Sequence, residues 1–514
     1  MQQILLSPLL GELPSHYAER LSKFYGSKTK QEHKKELGQF FTPLRLSNFI
    51  ASFSSFHKNK VTILDPGCGT CILSCSLIEK LSENKKLKTI ELTTYEIDQK
   101  LNFHTVSLLR YLNDWLSKKK IAFITNHKNV DFINENFSAI NFLSKKRFDI
   151  IISNPPYFKI SKEDERKKLF QTLSNGQLNI YAVFAAISAN MLNKNGELIF
   201  IIPRSFASGE YFKTFREIFF SKVQIEKIHL FISRKDVFSK DKVLQENLII
   251  KGRKIDKIDL KRKIWIGQSN GLNDIDTCTT KDFSYSQLIN LNSEEKFLHL
   301  PNSDEQEKVM NLLKSQNENL SSLGYKVSTG PVVYFRKTEF LQKVKINDSV
   351  PLYWLENVTK YSIKHPMNGK SKEQFISFTE KSNSILINNS NVVLVRRFSS
   401  KDDSSRLVAA VHLKKEMPGC KKIGIENKLN YIIKNDGYFT IYEALGICSI
   451  LNSYIYDEYF KTFNGNTQVS ASELKKIPFP KKDVIEKIGK KVSRLTVTDE
   501  KKINDIVSAA LLEN

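Results

Sequence analysis

Residues 61–81 read VTILDPGCGTCILSCSLIEKL. Val61 to Asp65 is a short apolar run closed by an acid, which predicts a buried strand. Pro66 to Thr70 supplies turn residues, and CILSCSLIEKL from Cys71 onward carries apolar residues at helical spacing. Strand, Gly-rich turn and helix in that order open a parallel sheet, whose ligands sit beyond the carboxyl ends of the strands. Gly67 and Gly69 allow the backbone to approach a bound group closely. A dinucleotide fingerprint would need a third glycine further on, and it is missing. The turn alone therefore indicates only a nucleotide-like cofactor.

Working outward, six more runs read as strands: 89–98, 121–131, 148–153, 197–202, 223–231 and 243–251. Helical patterns alternate with them, such as YAVFAAISANML ending at Leu192. This predicts an α/β fold with a doubly wound, mostly parallel sheet. Asp65 closes the first strand. Glu96, followed by Ile97, closes the second, where a carboxylate can accept both hydroxyls of a ribose. Asp131 and Phe132 close the third, placed to bind an adenine amine and cover its face. Any one of these acids could be an ordinary loop residue. Three in order at the ends of three strands point to a cofactor.

Past residue 255 the texture changes. KGRKIDKIDLKRKIW is charged and weakly patterned, and IGQSNGLND reads as a linker. Beyond it lie short strands in KVSTGPVVYFRK, NVVLVRRF and RLVAAVHLKK, and one helix over EALGICSILNSYIYDEYFK. The expected organisation is an N-terminal helical extension over 1–36, a first domain over 37–255 and a mixed α/β domain over 256–514. Lys and Arg number 79 against 55 Asp and Glu, a formal charge of +24 in 514 residues. Such a field favours polyanions. No apolar run is long enough to cross a bilayer and no signal peptide is read, so a cytoplasmic protein without a membrane partner is expected. Among six cysteines, Cys68, Cys71 and Cys75 lie close together. They read as small buried thiols rather than an iron–sulfur site, and no metal is expected.

The fourth strand runs into SNPPYFK, residues 153–159. An amine on an aromatic ring delocalises its lone pair and is a poor nucleophile. An amide oxygen and a backbone carbonyl, each accepting one amine hydrogen, would localise that lone pair and aim it. Asn154 offers the amide oxygen. Pro155 and Pro156 stiffen the backbone, and Pro155 offers the carbonyl. Tyr157 offers a flat ring for a base drawn out of its helix. A proline turn closing a strand is the plainer reading of the same four residues.

The chain resembles the gamma-class type II DNA adenine-N6 methyltransferases, which depend on S-adenosylmethionine. Gly38-Gln39-Phe40-Phe41-Thr42-Pro43 resembles their N-terminal motif, DPGCGT their cofactor loop, YEID and VDFIN their ribose and adenine acids, and NPPY their catalytic motif. The resemblance implies that Thr42 and Pro43 pack around the methionine part of the cofactor. It implies that Asp65, Gly67, Gly69, Glu96, Ile97, Asp131, Phe132 and Asn154 complete that site. Asp236-Val237-Phe238 resembles the segment whose aromatic covers the flipped base, so Phe238 would partner Tyr157. Glycine is usual in the family where Cys71 stands. VLQENLII and FNGNTQVSASELKKIPFP resemble the BsuBI/PstI methylases, which modify the adenine of CTGCAG. Ser470 to Glu473 within the latter also reads as a capping box.

The implied partners are double-stranded DNA, bound as a monomer, and a separate cognate restriction endonuclease. The second half is then the target-recognition domain. Arg336, Lys337, Arg396, Arg397, Phe398, Asn464, Asn466, Thr467 and Gln468 are its candidate DNA contacts. Two alternatives remain. One is a methyltransferase for an RNA guanine amine or a protein glutamine amide, on which the same motif also acts. The other is a non-catalytic DNA-binding protein on a methylase fold.

Overall fold

The computed structural model describes residues 6–141, 146–160, 164, 166, 179–232, 246–367, 372–399, 405–465, 468–496 and 499–513. The chain divides into Met1–Leu298 and His299–Asn514. The first unit is built on a nine-stranded sheet: β1 (Lys60–Pro66), β2 (Thr89–Tyr95), β3 (Ala122–Lys128), β4 (Phe148–Ser153), β5 (Leu192–Pro203), β6 (Val223–Phe231), β7 (Asn247–Lys254), β8 (Lys263–Ser269) and β9 (Thr279–Ser284). Their order is β3-β2-β1-β4-β5-β7-β6-β8-β9. β1 pairs in parallel with β2 and β4, β2 with β3, β4 with β5, and β6 with β8. β7 is antiparallel to β5 and β6, and β9 to β8.

β1 and β4 are buried along most of their length, as strands covered on both faces must be. The core runs through Ile63, Ile90, Ile150, Ile152, Ile199 and Ile201, with Leu73, Leu77, Leu108 and Leu112 from the helices beside them. Helix Ile180–Met191 is apolar on every side and all of it is buried. The order of strands reverses between β1 and β4. A crevice opens at their carboxyl ends, and the turns after both strands meet there.

Two expectations about organisation are corrected. Residues 256–298 belong to the first unit, because β8 runs into the supposed linker over 266–274 and β9 follows it in the same sheet. β9 is polar and mostly exposed, as an outer strand can be. Residues 14–28 are helical as expected, but they are no appendage: Tyr17, Ala18 and Leu21 are fully buried in the main core.

The second unit carries a four-stranded antiparallel sheet in the order Tyr325–Thr329, Leu429–Lys434, Val392–Arg396, Ala409–His412. A smaller sheet and a set of helices complete it. The single helix expected over 443–461 is two, Ile441–Asn452 and Tyr454–Phe463. Ser453 is extended and its side chain caps the second helix at Tyr456 N, which ends one helix and starts the next. The capping box of Ser470 and Glu473 is formed, opening helix Ala471–Lys476. Among the described residues no helix is long and apolar enough to cross a membrane.

Candidate active site

Ser153 Oγ donates to Pro66 O at 2.7 Å, tying the end of β4 to the end of β1. Around this tie lies a cavity of about 160 Å³. Its wall includes Gln39, Phe40, Thr42, Gly67, Gly69, Glu96, Ile97, Asp131, Phe132 and Asn154. Five sets of residues that the sequence singled out therefore converge on one space, although Thr42 and Asn154 are far apart in the chain.

The Gly-rich turn is held open from below. Gly67 and Gly69 have φ of +73° and +54°, left-handed values that cost a glycine least. Cys68 N donates to Tyr95 O at 2.8 Å, and Thr105 Oγ1 to Gly69 O at 2.9 Å. Cys71, the first residue past the turn, also has positive φ, 57°, and is fully buried. The residue that departs from the family pattern thus stands where a glycine would be unstrained.

Glu96 is 6% exposed and accepts from Gly69 N at 2.9 Å and from Asp98 N at 2.8 Å. Burial pushes its carboxyl up to about 7 against those two N–H groups, and the neighbouring Asp98 charge adds to the rise. Asp65 lies behind the turn, outside the cavity wall. Its Oδ2 accepts from Ser74 Oγ at 2.6 Å, and Oδ1 is buried with no partner among the described residues. Burial pushes it up to about 7 as well.

Asp131 caps helix Phe132–Asn136 through Oδ1, accepting from Ile133 N at 2.7 Å and Asn134 N at 3.0 Å. Oδ2 faces Arg166 at 2.9 Å. Arg166, which Asp164 also holds at 2.7 Å, lines the cavity too; no motif marks it, because the acid it shares with the site lies 35 positions away. Asp98, the last residue of YEID, was likewise missed. Its Oδ2 receives Tyr25 Oη, Gln39 Nε2 at 2.8 Å and His33 Nε2 at 3.1 Å. One carboxylate thus fastens the N-terminal helices and the Gly38–Pro43 segment to the ribose-side loop.

The amide of Asn154 has a defined orientation. Nδ2 donates to Phe40 O at 3.2 Å and lies 3.1 Å from Thr42 Oγ1. A backbone carbonyl can only accept, so nitrogen must face Phe40 and Oδ1 is left as the acceptor end. Tyr157 Oη donates to that Oδ1 at 2.5 Å and also lies 2.8 Å from Ile201 O. One lone pair of Oδ1 remains.

The Tyr157 ring is 7% exposed and near-parallel to Phe40, with centroids 6.0 Å apart. It does not line the cavity, so the open ring expected from the sequence is here a buried one. Pro156 and Phe158 supply the wall on that side, whereas Pro155 and Pro43 stand outside it. Pro43 instead starts helix Leu44–Ala51. Phe238, Asn466 and Thr467 lie outside the described residues. In the second unit, Arg396 Nε donates to Val358 O at 2.6 Å, and Asn464 is buried with its amide on Gln468 O and Glu473. Those two are structural.

Fold and site define an S-adenosylmethionine-dependent methyltransferase, and the residues present fit that cofactor. The left-handed glycines leave its approach clear, and each Glu96 carboxylate oxygen, with one backbone N–H already bound, keeps a lone pair that a hydroxyl could use. Gln39, in the wall, keeps Oε1 buried without a partner among the described residues, where an ammonium group would satisfy it. The chain belongs to the type II restriction-modification methyltransferases, which act on DNA. It is 34% identical over 472 residues to Type II methyltransferase M.BsuBI of Bacillus subtilis, covering 89% of this chain and 90% of that one. It is 30% identical over 486 residues to M.PstI of Providencia stuartii, covering 93% of each. Residues 45–238 match the Eco57I restriction-modification methylase family. The fold also aligns with the solved DrdV–DNA complex over 93% of this chain and 59% of that chain, at 13% identity and a TM-score of 0.52.

Proposed function

We propose that this methyltransferase modifies the exocyclic N6 amine of an adenine flipped out of a short duplex site, CTGCAG by its resemblance to the BsuBI/PstI group. It acts as a cytoplasmic monomer on DNA and shields that site from a separate cognate endonuclease. The observation that carries the reading is the locked amide of Asn154, with nitrogen on Phe40 O and oxygen presented. S-adenosylmethionine, when bound, supplies an electrophilic methyl carbon on a sulfonium.

The chain's residues do the rest. Asn154 Oδ1 accepts one hydrogen of the target amine and the Pro155 carbonyl accepts the other, so the nitrogen lone pair turns out of the ring plane. Tyr157 holds Asn154 Oδ1 in place through its hydroxyl. Once the amine has taken the methyl group that the cofactor would supply, its extra proton passes to water. Phe238 covers the base from the opposite side to the NPPY turn. Glu96 and Asp131 grip the adenosyl moiety of the cofactor.

The test is Asn154→Ala. Methyl transfer to DNA should fall by about 10²- to 10³-fold or more, as when a preorganised polar group is removed from a reacting centre. Cofactor and duplex binding should stay within about tenfold of wild type. Nucleoside analysis of wild-type product should give N6-methyl-2′-deoxyadenosine, and sequencing of the modified DNA should give its context. Near-normal turnover by the variant, or a different methylated base, overturns the reading.

A further inference from the structure

In the second unit three loops are stitched together beyond the strand Val392–Arg396. Val332 N donates to Ile425 O at 3.0 Å, and Asn427 N to Val332 O at 3.0 Å. Arg397 N donates to Lys428 O at 2.9 Å, and Val469 N to Arg397 O at 2.8 Å. The platform is therefore rigid, and it carries side chains of an unusual mix. Phe335 is 60% exposed and Tyr334 37%. The Arg336 guanidinium lies 5.5 Å from the Phe335 ring centroid, and Lys428 Nζ 5.9 Å from that of Tyr334.

Arg397 is held differently. Its Nη1 donates to Asn427 O at 3.0 Å. With the Gln468 amide oriented to accept, Nε and Nη2 reach Gln468 Oε1 at 2.9 and 2.6 Å. A guanidinium has five N–H bonds; three are committed, and two remain on a group that cannot swing. Among the described residues no carboxylate forms an ion pair with Arg336, Arg397 or Lys428, although many other cations of this unit are paired, as Lys434 is with Glu443 and Lys372 with Glu356. Lys428 feels the charges of Glu356 and Glu426 without closing an ion pair, and cations left without a direct carboxylate partner beside exposed rings fit a polyanion that also presents flat faces.

We propose that this face is where the second unit reads its duplex, with Arg397 as the specificity-determining residue. Arg397 gives its two remaining N–H groups to the O6 and N7 of one guanine in the major groove. Arg336 and Lys428 hold phosphates, and Phe335 packs against the adjacent sugar. Gln468 is a positioning residue that acts through Arg397. The inference rests on the DNA-modifying function above.

The experiment uses the full chain and two 30-base-pair duplexes, one containing the site mapped from wild-type product and one with that site scrambled. Arg397→Ala should weaken binding to the first by about 10- to 100-fold and leave the second unchanged, as loss of one bidentate base contact does. Sequencing of DNA modified by this variant should show relaxed choice at one guanine position. Arg336→Ala and Lys428→Ala should weaken both duplexes alike and each reduce the slope of log affinity against log salt by about one. S-adenosylhomocysteine affinity should be unchanged in every variant, which establishes folding of the first unit, and an unchanged urea unfolding profile establishes folding of the second; Arg397→Lys serves as a second variant should alanine disturb the platform. Equal loss on both duplexes for Arg397→Ala and Arg397→Lys overturns its role as reader. Wild-type binding by all the variants overturns the face itself. Failure of the wild type to methylate adenine would count against the proposed function instead, since duplex binding is read separately.

Discussion

Raising the pH from 6 to 8 should tighten binding of the adenosyl cofactor about tenfold, and Glu96 is the group responsible. Its carboxyl sits in the cavity wall, and burial pushes it up to about 7. A carboxylate has lone pairs for two hydroxyls at once, whereas a protonated carboxyl gives up one oxygen as a donor. At pH 6 roughly nine in ten free molecules carry the proton; at pH 8 roughly one in ten do. When only the ionised form accepts both ribose hydroxyls, the apparent dissociation constant falls by about tenfold across that interval, and about half a proton is released per ligand bound at pH 7. Titration calorimetry with S-adenosylhomocysteine at pH 6, 7 and 8, in buffers of different ionisation heat, measures both quantities. Glu96→Gln is the control for the ligand's own amino group. Its amide nitrogen must confront the N–H of Gly69 or Asp98, so affinity at pH 8 should drop by about 10- to 100-fold and lose the Glu96-linked pH dependence. A wild-type constant steady within twofold from pH 6 to 8, with no heat that depends on buffer, would refute the reasoning.

Three further outcomes are expected. Asp65 and Glu96 both stand above the ordinary carboxylate range in the folded state, each to about 7; the unfolded chain ionises first, so the cofactor-free protein should lose stability as pH climbs from about 4 to 7, as urea unfolding at each pH will report. At Cys71, with φ 57°, glycine should be more stable than alanine by about 1 kcal/mol, the reverse of their order in ordinary helical backbone, measured as the difference in urea midpoints of the two variants. Tyr157→Phe removes the hydroxyl on Asn154 Oδ1 and Ile201 O; it should cost about 1 kcal/mol of stability and about tenfold in kcat, with the KM for S-adenosylmethionine unchanged in steady-state assays.

What could be read in advance follows from where the chemistry sits. β1 and β4 are continuous apolar runs that end abruptly, and in a doubly wound sheet the residues just past such ends must face the crevice. The ends of VTILD and FDIIIS therefore bring Gly67, Gly69 and Asn154 to one place. The misses share a different cause. β9 reads TTKDFS and is mostly exposed, so nothing in its composition separates it from a linker, and the domain boundary shifted with it. The apolar periodicity of 443–461 continues through Ser453; only the capping hydrogen bond to Tyr456 N marks the break. Asn464 looked like a free amide, and Glu473 claims it.

Side-chain direction was the least legible feature, and Tyr157 shows why it matters. Sequence gives a ring three residues past Asn154 but not which way it turns. Folded, its hydroxyl donates to Asn154 Oδ1 and lies 2.8 Å from Ile201 O, and its ring lies against Phe40. The same hydrogen-bond network that fixes the amide also withdraws the ring from the cavity. A tyrosine here therefore does something that a phenylalanine could not: it orients the acceptor that the proposed amine activation would use. Arg397 and Gln468 repeat the arrangement in the second unit, where an amide oxygen immobilises a guanidinium. In both units the group proposed to act is held by a neighbour that could itself be taken for the ligand contact, and only the paired geometry tells which of the two keeps an open hydrogen-bonding position.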